Sequence, residues 1–401
     1  MGIVVYNINT SLRFCLNVLK FIGFLADEPD GYFGKILFNI YWFLWFMFLI
    51  GGTIIAQFGA MFEMWGDLTL MTSASFLFFT NLAMAVKIIN MVMRNQQIQN
   101  VIDESDEDLR TEYRTDGRKI IKSSDRETFW CFSITMCLAL LTVFGWAAGA
   151  KKNQLPLTAW YPFDTSKSPV YELTYAFQCT ALMMSAVVNI CLDTLVTSLI
   201  GVCCCRFRLV ALSLRTLCDN VQLVGKQLLS AQDDEKVQLR LRRCIQKHVA
   251  VLHTTAQIQK CLTDPILSQF AVSTVIICVT AYQLALELSN KDLVRTLSMG
   301  TYLMCMTLQV FMYCYQGNQL LIESSLISDA AYWCPWYMCS VQFRRTLLIV
   351  MLRTRRVTIL TARGFTTLSL GCFTAVSITS NIIKALKRLK IISNTFCARM
   401  Y

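Results

Sequence analysis

Apolar residues along this chain gather into windows of about 20 residues, the length a helix needs to cross roughly 30 Å of hydrocarbon. These windows predict membrane spans at 36–60, 68–91, 129–150, 170–202, 266–288, 297–317 and 368–386. Six are strongly apolar, and the seventh is a compromise. SLGCFTAVSITSNIIKALKRLK, residues 369–390, interrupts its apolar run with hydroxyls and Asn381, then enters Lys384, Lys387, Arg388 and Lys390. No window is dominated by the two-residue alternation of a strand, and there are only 6 prolines, so the expected class is an all-α membrane protein with seven transmembrane helices. Ahead of the first span, SLRFCLNVLKFIGFL (11–25) sets Arg13, Asn17 and Lys20 on one stripe, which suits an amphipathic helix on the inner membrane surface or a helix buried against the bundle.

Composition supports the membrane reading. The chain is 55% hydrophobic and 16% charged, whereas soluble domains carry roughly 25% charged residues. The net charge of +11 calls for no nucleic acid partner; its distribution bears on topology instead. Of the 37 Lys and Arg residues, 26 fall in the N-terminal segment and the second, fourth and sixth connections, and 10 in the alternate connections and the tail. The positive-inside rule therefore places the N-terminus in the cytoplasm and, after seven spans, the C-terminus outside. The expected organisation is a cytoplasmic segment 1–35, a six-span bundle 36–330 with a long cytoplasmic loop 203–264, a cytoplasmic helical region 331–367, and a seventh span with its tail at 368–401. Within that region QFRRTLLIVMLRTRR (342–356) is too short in its apolar core to span, and reads as a cytoplasmic helix burying one face against other helices or subunits.

Signatures of catalysis or metal binding do not emerge. The sequence lacks a Walker loop, GxSxG, HExxH and a Rossmann glycine pattern. Its two histidines, His248 and His253, have no acid or cysteine completing a metal set, and read as solvated helix residues. No cofactor, metal or enzymatic activity is expected. Charged residues more than three positions inside a span reduce to Lys87 and Asp193, toward the inner ends of their helices, where snorkelling or an interhelical bond would accommodate them. Of 18 cysteines, only Cys397 falls on the expected extracellular side outside the membrane, which leaves no extracellular pair for a disulfide. Cys203, Cys204 and Cys205, at a span end, suit either helix packing or acylation.

The spans do carry candidates for a small apolar ligand. Phe76, Phe79 and Thr80 lie on the second span; Thr142 and Gly145 share a face of the third, with Gly149, beside Trp146. Met183, Met184 and Val187 lie on the fourth, and Tyr302 and Met306 on the sixth. Aromatic and methionine walls with a few hydroxyls are the makeup of a small-molecule pocket, although the same stripes serve ordinary helix packing. On the last span, Thr374, Ser377, Asn381, Lys384 and Arg388 fall within an arc of about 80° at 100° per residue. Such a polar stripe suits either the wall of a pore shared among subunits or polar packing inside one bundle.

AYWCPWYMCSVQFRRTLLIVMLRTRRVTILTARGFTTLSLGCFTAVSITSN resembles the C-terminal signature of the insect odorant receptors. The shared elements include Ala331-Tyr332, Pro335-Trp336-Tyr337, Phe343-Arg344, Met351-Leu352-Arg353, Thr361-Ala362, Gly364-Phe365, Ser369-Leu370 and Phe373. AWYPFD (159–164) and GNQLLIESS (317–325) are similar to further landmarks of that family, and the resemblance runs over essentially the whole chain. It implies a ligand-specific subunit that assembles with a common co-receptor into a tetrameric cation channel in the plasma membrane of olfactory neuron dendrites. It further implies a pocket among the second, third, fourth and sixth spans for a small volatile ligand. The last span would line the pore, and alignment on Ser369-Leu370 puts the constriction near Leu386, with Ile382 and Leu389 on the same side. The Tyr-Phe pair usual in the family is replaced here by Ile383-Lys384. The long fourth-loop insertion associated with the co-receptor is absent. A G-protein-coupled seven-helix receptor would need the opposite orientation, and a gustatory-type channel of the same architecture would differ only in its ligand.

Overall fold

A computed structural model describes residues 10–375 apart from 26–30, 67, 150–154, 158, 166, 220–222, 225–227 and 291–292. It begins with α1 (Thr10–Ile22), whose Leu12, Cys15, Leu16, Leu19 and Ile22 are buried at helical spacing while Arg13 and Asn17 stay exposed. The first span combines α2 (Tyr32–Phe46) and α3 (Gly52–Glu63) through a π-helical turn, Met47–Gly51. There follow α4 (Leu68–Met93), α5 (Asn95–Arg110), α6 (Thr115–Ala148) and α7 (Val170–Arg215). The chain then pairs two-residue strands, β1 (Leu223–Val224) and β2 (Leu228–Leu229), before α8 (Ala231–Asn290), α9 (Leu293–Tyr332) and α10 (Val341–Thr354). Among the described residues six helical segments are long and apolar enough to cross a membrane. The seventh window is helical from 370 to 375, where the described residues end.

The central helix is α7. The most apolar window of this 46-residue helix is 94% buried, against 28% for the first span and for α6, whose outer faces are left to lipid. A helix apolar around its whole circumference belongs inside a bundle, and α7 packs against α1, α6, α8 and α9. Cys203, Cys204 and Cys205 are 1–4% exposed within it, so these thiols fill helix–helix contacts rather than offering acylation sites.

Four helices run far past the expected membrane limits. α6 begins at Thr115, α7 ends at Arg215, α8 begins at Ala231 and α9 ends at Tyr332. With α5 and α10 they build a body at the charged end of the bundle. Buried charges hold it together: Arg206, 2% exposed, pairs with Asp108, lies 3.5 Å from Glu104 and donates to Thr254 Oγ1 at 2.8 Å. Arg208 Nε meets Glu323 Oε1 at 2.7 Å, joining α7 to α9. His248 is not the solvated residue that the sequence suggested. It is 6% exposed and stands edge-on to Phe207; burial, then the nearby Arg353 charge, pull its pKa down to about 4. His253 is exposed.

After α10 comes a hairpin that helical periodicity did not foresee, β3 (Thr361–Ala362) against β4 (Thr366–Thr367). Its turn needs positive φ at Arg363 (49°) and Gly364 (76°), where glycine has no steric penalty. Gln259 of α8 grips the hairpin twice, accepting from Thr361 N at 2.9 Å and donating to Thr361 O at 2.6 Å, while Arg363 Nε reaches Asp264 Oδ1 at 2.6 Å. Leu368 N then bonds Leu360 O at 2.9 Å, which aims the chain into the last window.

Candidate ligand-binding site

Between α4, α6, α7 and α9 lies a cavity of about 60 Å³. From α4 come Leu77, Thr80, Asn81 and Met84; from α6 come Ala139, Thr142, Val143 and Trp146. α7 adds Leu182, Ser185, Ala186, Asn189 and Ile190, and α9 adds Tyr302, Cys305, Met306 and Gln309. Hydrocarbon walls with a few polar atoms are what a small, mostly apolar ligand requires.

The polar atoms are held by other polar atoms. Tyr302 Oη and Thr80 Oγ1 are 2.6 Å apart. Thr142 Oγ1 donates to Leu138 O and lies 3.0 Å from Thr301 Oγ1. Asn81 Nδ2 donates to Gln57 Oε1 at 3.1 Å, tying the wall to the first span, and Gln269 Nε2 of α8 donates to Gln309 Oε1 at 3.3 Å.

Beneath the cavity sits a buried ion pair. Lys87 Nζ lies 2.5 Å from Asp193 Oδ1 and also donates to Asn189 Oδ1 at 3.1 Å, and Tyr313 Oη donates to the same Asp193 oxygen at 2.8 Å. The Lys87 and Asp193 side chains are 1% and 8% exposed. Three spans, α4, α7 and α9, thus meet at one carboxylate. The two charges neutralise each other across helices, so neither snorkels to the surface.

Of the residues predicted from sequence, Thr80, Thr142, Trp146, Tyr302 and Met306 come together around the cavity. Phe76 stands one layer behind, its ring 5.6 Å from Trp146 and 5.4 Å from Tyr302. Phe79, Met184 and Val187 are half-buried and pack on the main core, and Met183 is half-buried on α7. Gly145 faces a neighbour rather than open space, since a Cβ there would lie 2.1 Å from Ser298 Oγ and 3.0 Å from Ser298 Cβ on α9. Thr374 is exposed and bonds Gly371 O at 2.8 Å; Ser377, Asn381, Ile382, Leu386 and Leu389 lie outside the described residues. Sequence reasoning missed Asn81, Asn189 and Gln309. Their signal was present, because amides inside otherwise apolar spans are costly unless partnered.

Among the described residues no group of three His, Cys, Asp or Glu is placed to hold a metal ion. The fold defines a polytopic all-α membrane protein with a largely apolar cavity among its spans. The family model described as 7tm Odorant receptor matches residues 67–380, and the chain belongs to that family, one of receptors rather than enzymes. It is 24% identical to Odorant receptor 94a of Drosophila melanogaster over 268 residues, covering 66% of each chain. It is 27% identical to Odorant receptor Or1 of Anopheles gambiae over 212 residues, 48% of this chain and 50% of that one. The matched region thus spans about two thirds or less of the length of these relatives. The solved olfactory receptor OR5 of Machilis hrabei in complex with eugenol shares the fold, with a TM-score of 0.74 at 17% identity over 94% of this chain and 96% of that one.

Proposed function

We propose that this protein is the ligand-binding subunit of an odorant-gated, nonselective cation channel, assembled as a tetramer with a common co-receptor. The cavity carries the reading: apolar walls ringed by Thr80, Tyr302, Asn81, Asn189 and Gln309 suit a small volatile with one hydrogen-bonding group. The eugenol bound to the Machilis receptor, a small aromatic, fits the same chemistry. In this reading the N-terminus is cytoplasmic, the last window is a seventh span ending outside, and the protein resides in the plasma membrane of olfactory neuron dendrites.

Two features favour an assembly. On α10, Phe343, Leu347, Val350 and Thr354 turn inward while Leu348, Ile349 and Leu352 are 56–66% exposed. An apolar face rising from a charged body is a partner-binding surface. The last window is too polar for lipid on every side, which suits a helix that shares a pore with other subunits. The expected result is no ligand-evoked current from the chain alone and a nonselective cation current on co-expression with a co-receptor. A robust ligand-evoked current from the chain alone would overturn the obligate partner. Within the pocket, Tyr302→Phe removes a hydrogen-bonding hydroxyl worth about 0.5–1.5 kcal/mol. It is expected to raise the half-maximal concentration of a hydroxyl-bearing odorant by about 2- to 13-fold and leave its hydrocarbon analogue unchanged. Equal shifts for both ligands, at equal surface expression, would separate Tyr302 from recognition.

A further inference from the structure

Three cysteines that ligand binding does not use converge at the charged end of the bundle. Cys218 follows α7 in a turn, whereas Cys334 and Cys339 flank the short 3-10 helix Trp336–Met338 that links α9 to α10. Cys218 Sγ lies 3.9 Å from Cys334 Sγ and 3.8 Å from Cys339 Sγ. Cys334 and Cys339 are buried and Cys218 is half-buried, so solvent reaches the cluster through Cys218.

Both turns are pinned from α8. Arg240 donates to Leu217 O and Asp219 O, each at 2.9 Å, and so places its guanidinium beside Cys218. Asp234 Oδ1 accepts from Ser340 N at 3.0 Å, holding the residue after Cys339. Hydrogen bonds from Cys334 and Cys339, with a smaller contribution from the Arg240 charge, pull the Cys218 pKa down to about 4. The partner thiols, hydrogen-bonded to Cys218 and buried, are pushed up. One accessible thiolate facing two protonated thiols is the arrangement of a reactive cysteine with resolving partners.

We infer that Cys218 is a hydroperoxide-sensitive thiol that forms a reversible disulfide with either Cys334 or Cys339. The Cys218 thiolate attacks one oxygen of hydrogen peroxide; the O–O bond breaks, an S–O bond forms, and the departing hydroxide takes up a proton as water. The sulfur of Cys334 or Cys339 then attacks Cys218 sulfur, the S–O bond breaks, an S–S bond forms, and the hydroxyl leaves as water with the thiol proton. Two thiols lose two electrons, and one peroxide becomes two waters. The bridge staples the end of α7 to the entrance of α10. In the topology proposed above this end is cytoplasmic, where such bridges are transient because glutathione and thioredoxin reduce them.

The test treats the full chain in membranes with hydrogen peroxide, blocks free thiols, and maps linked peptides without reduction. Linked Cys218–Cys334 and Cys218–Cys339 peptides are expected, both removed by dithiothreitol. Cys218→Ser is expected to lose both completely, Cys334→Ser to retain only the link to Cys339, and Cys339→Ser only the link to Cys334. Recovery of Cys218 unmodified, or only as a sulfinic acid, after a peroxide exposure that fully oxidises free glutathione added to the same membranes would overturn the proposal. This readout needs no ligand or current, so it stands or falls separately from the channel reading.

Discussion

Replacing Lys87 with methionine is expected to destabilise the protein by about 3–5 kcal/mol, the usual consequence of stranding one member of a buried ion pair. Asp193 would keep only the Tyr313 hydroxyl on its Oδ1, in surroundings where an unpaired carboxylate is costly. Asp193→Leu is expected to behave similarly by stranding Lys87, which would retain Asn189 Oδ1 but no counter-charge. The double variant Lys87→Met/Asp193→Leu should recover most of the loss, because apolar side chains of similar volume replace a buried pair at little net cost. Thermal unfolding of detergent-purified protein, with surface expression alongside, reads the effect. If either single variant unfolds at the wild-type temperature, the pair contributes nothing to holding α4, α7 and α9 together.

The second large effect is expected at Gly317, the first residue of the GNQLLIESS segment. A Cβ there would stand 2.3 Å from Leu368 Cβ and 2.6 Å from Leu368 O, and a backbone oxygen cannot swing aside as a side-chain tip can. Leu368 is 1% exposed and anchored through Leu360, so relief must come from moving the start of the last window away from α9. Overpacking of this kind costs about 1–3 kcal/mol. Gly317→Ala is therefore expected to reduce ligand-evoked current by about five-fold at matched surface expression, the factor that about 1 kcal/mol makes in an equilibrium. Gly300, further toward the start of the same helix, where a Cβ meets nothing within 4 Å, supplies the control: Gly300→Ala should be silent. Equal currents from the two variants would mean that the α9–Leu368 contact does not govern the last window.

Much of the architecture follows from local periodicity. Apolar windows marked the six helices long enough to span, and the charged flanks marked the end where α6, α7, α8 and α9 extend into a separate body. These features are readable because lipid and water impose their demands residue by residue, on whatever side chain faces them. Thr80, Thr142, Trp146 and Tyr302 stood out for the same reason, as polar or aromatic interruptions of apolar faces, and Met306 as a methionine beside them.

What the chain could not state alone is which face meets which. Lys87 and Asp193 were visible as the charged residues inside spans, but they are separated by 106 positions and only the packing of α4 on α7 makes them a pair. Gly145 and Gly317 are small for the same sequence reason that would serve an open pocket; Ser298 and Leu368 on the facing elements decide that both are close contacts. Cys218, Cys334 and Cys339 read as scattered thiols until two turns bring their sulfurs within 4 Å. Composition and period determined that this is a membrane-embedded helical protein, because burial in lipid is a property of each residue. The ion pair, the cavity and the thiol cluster were decided by tertiary structure alone, because each is a short-range contact between residues distant in sequence, and such distances exist only once the helices have packed.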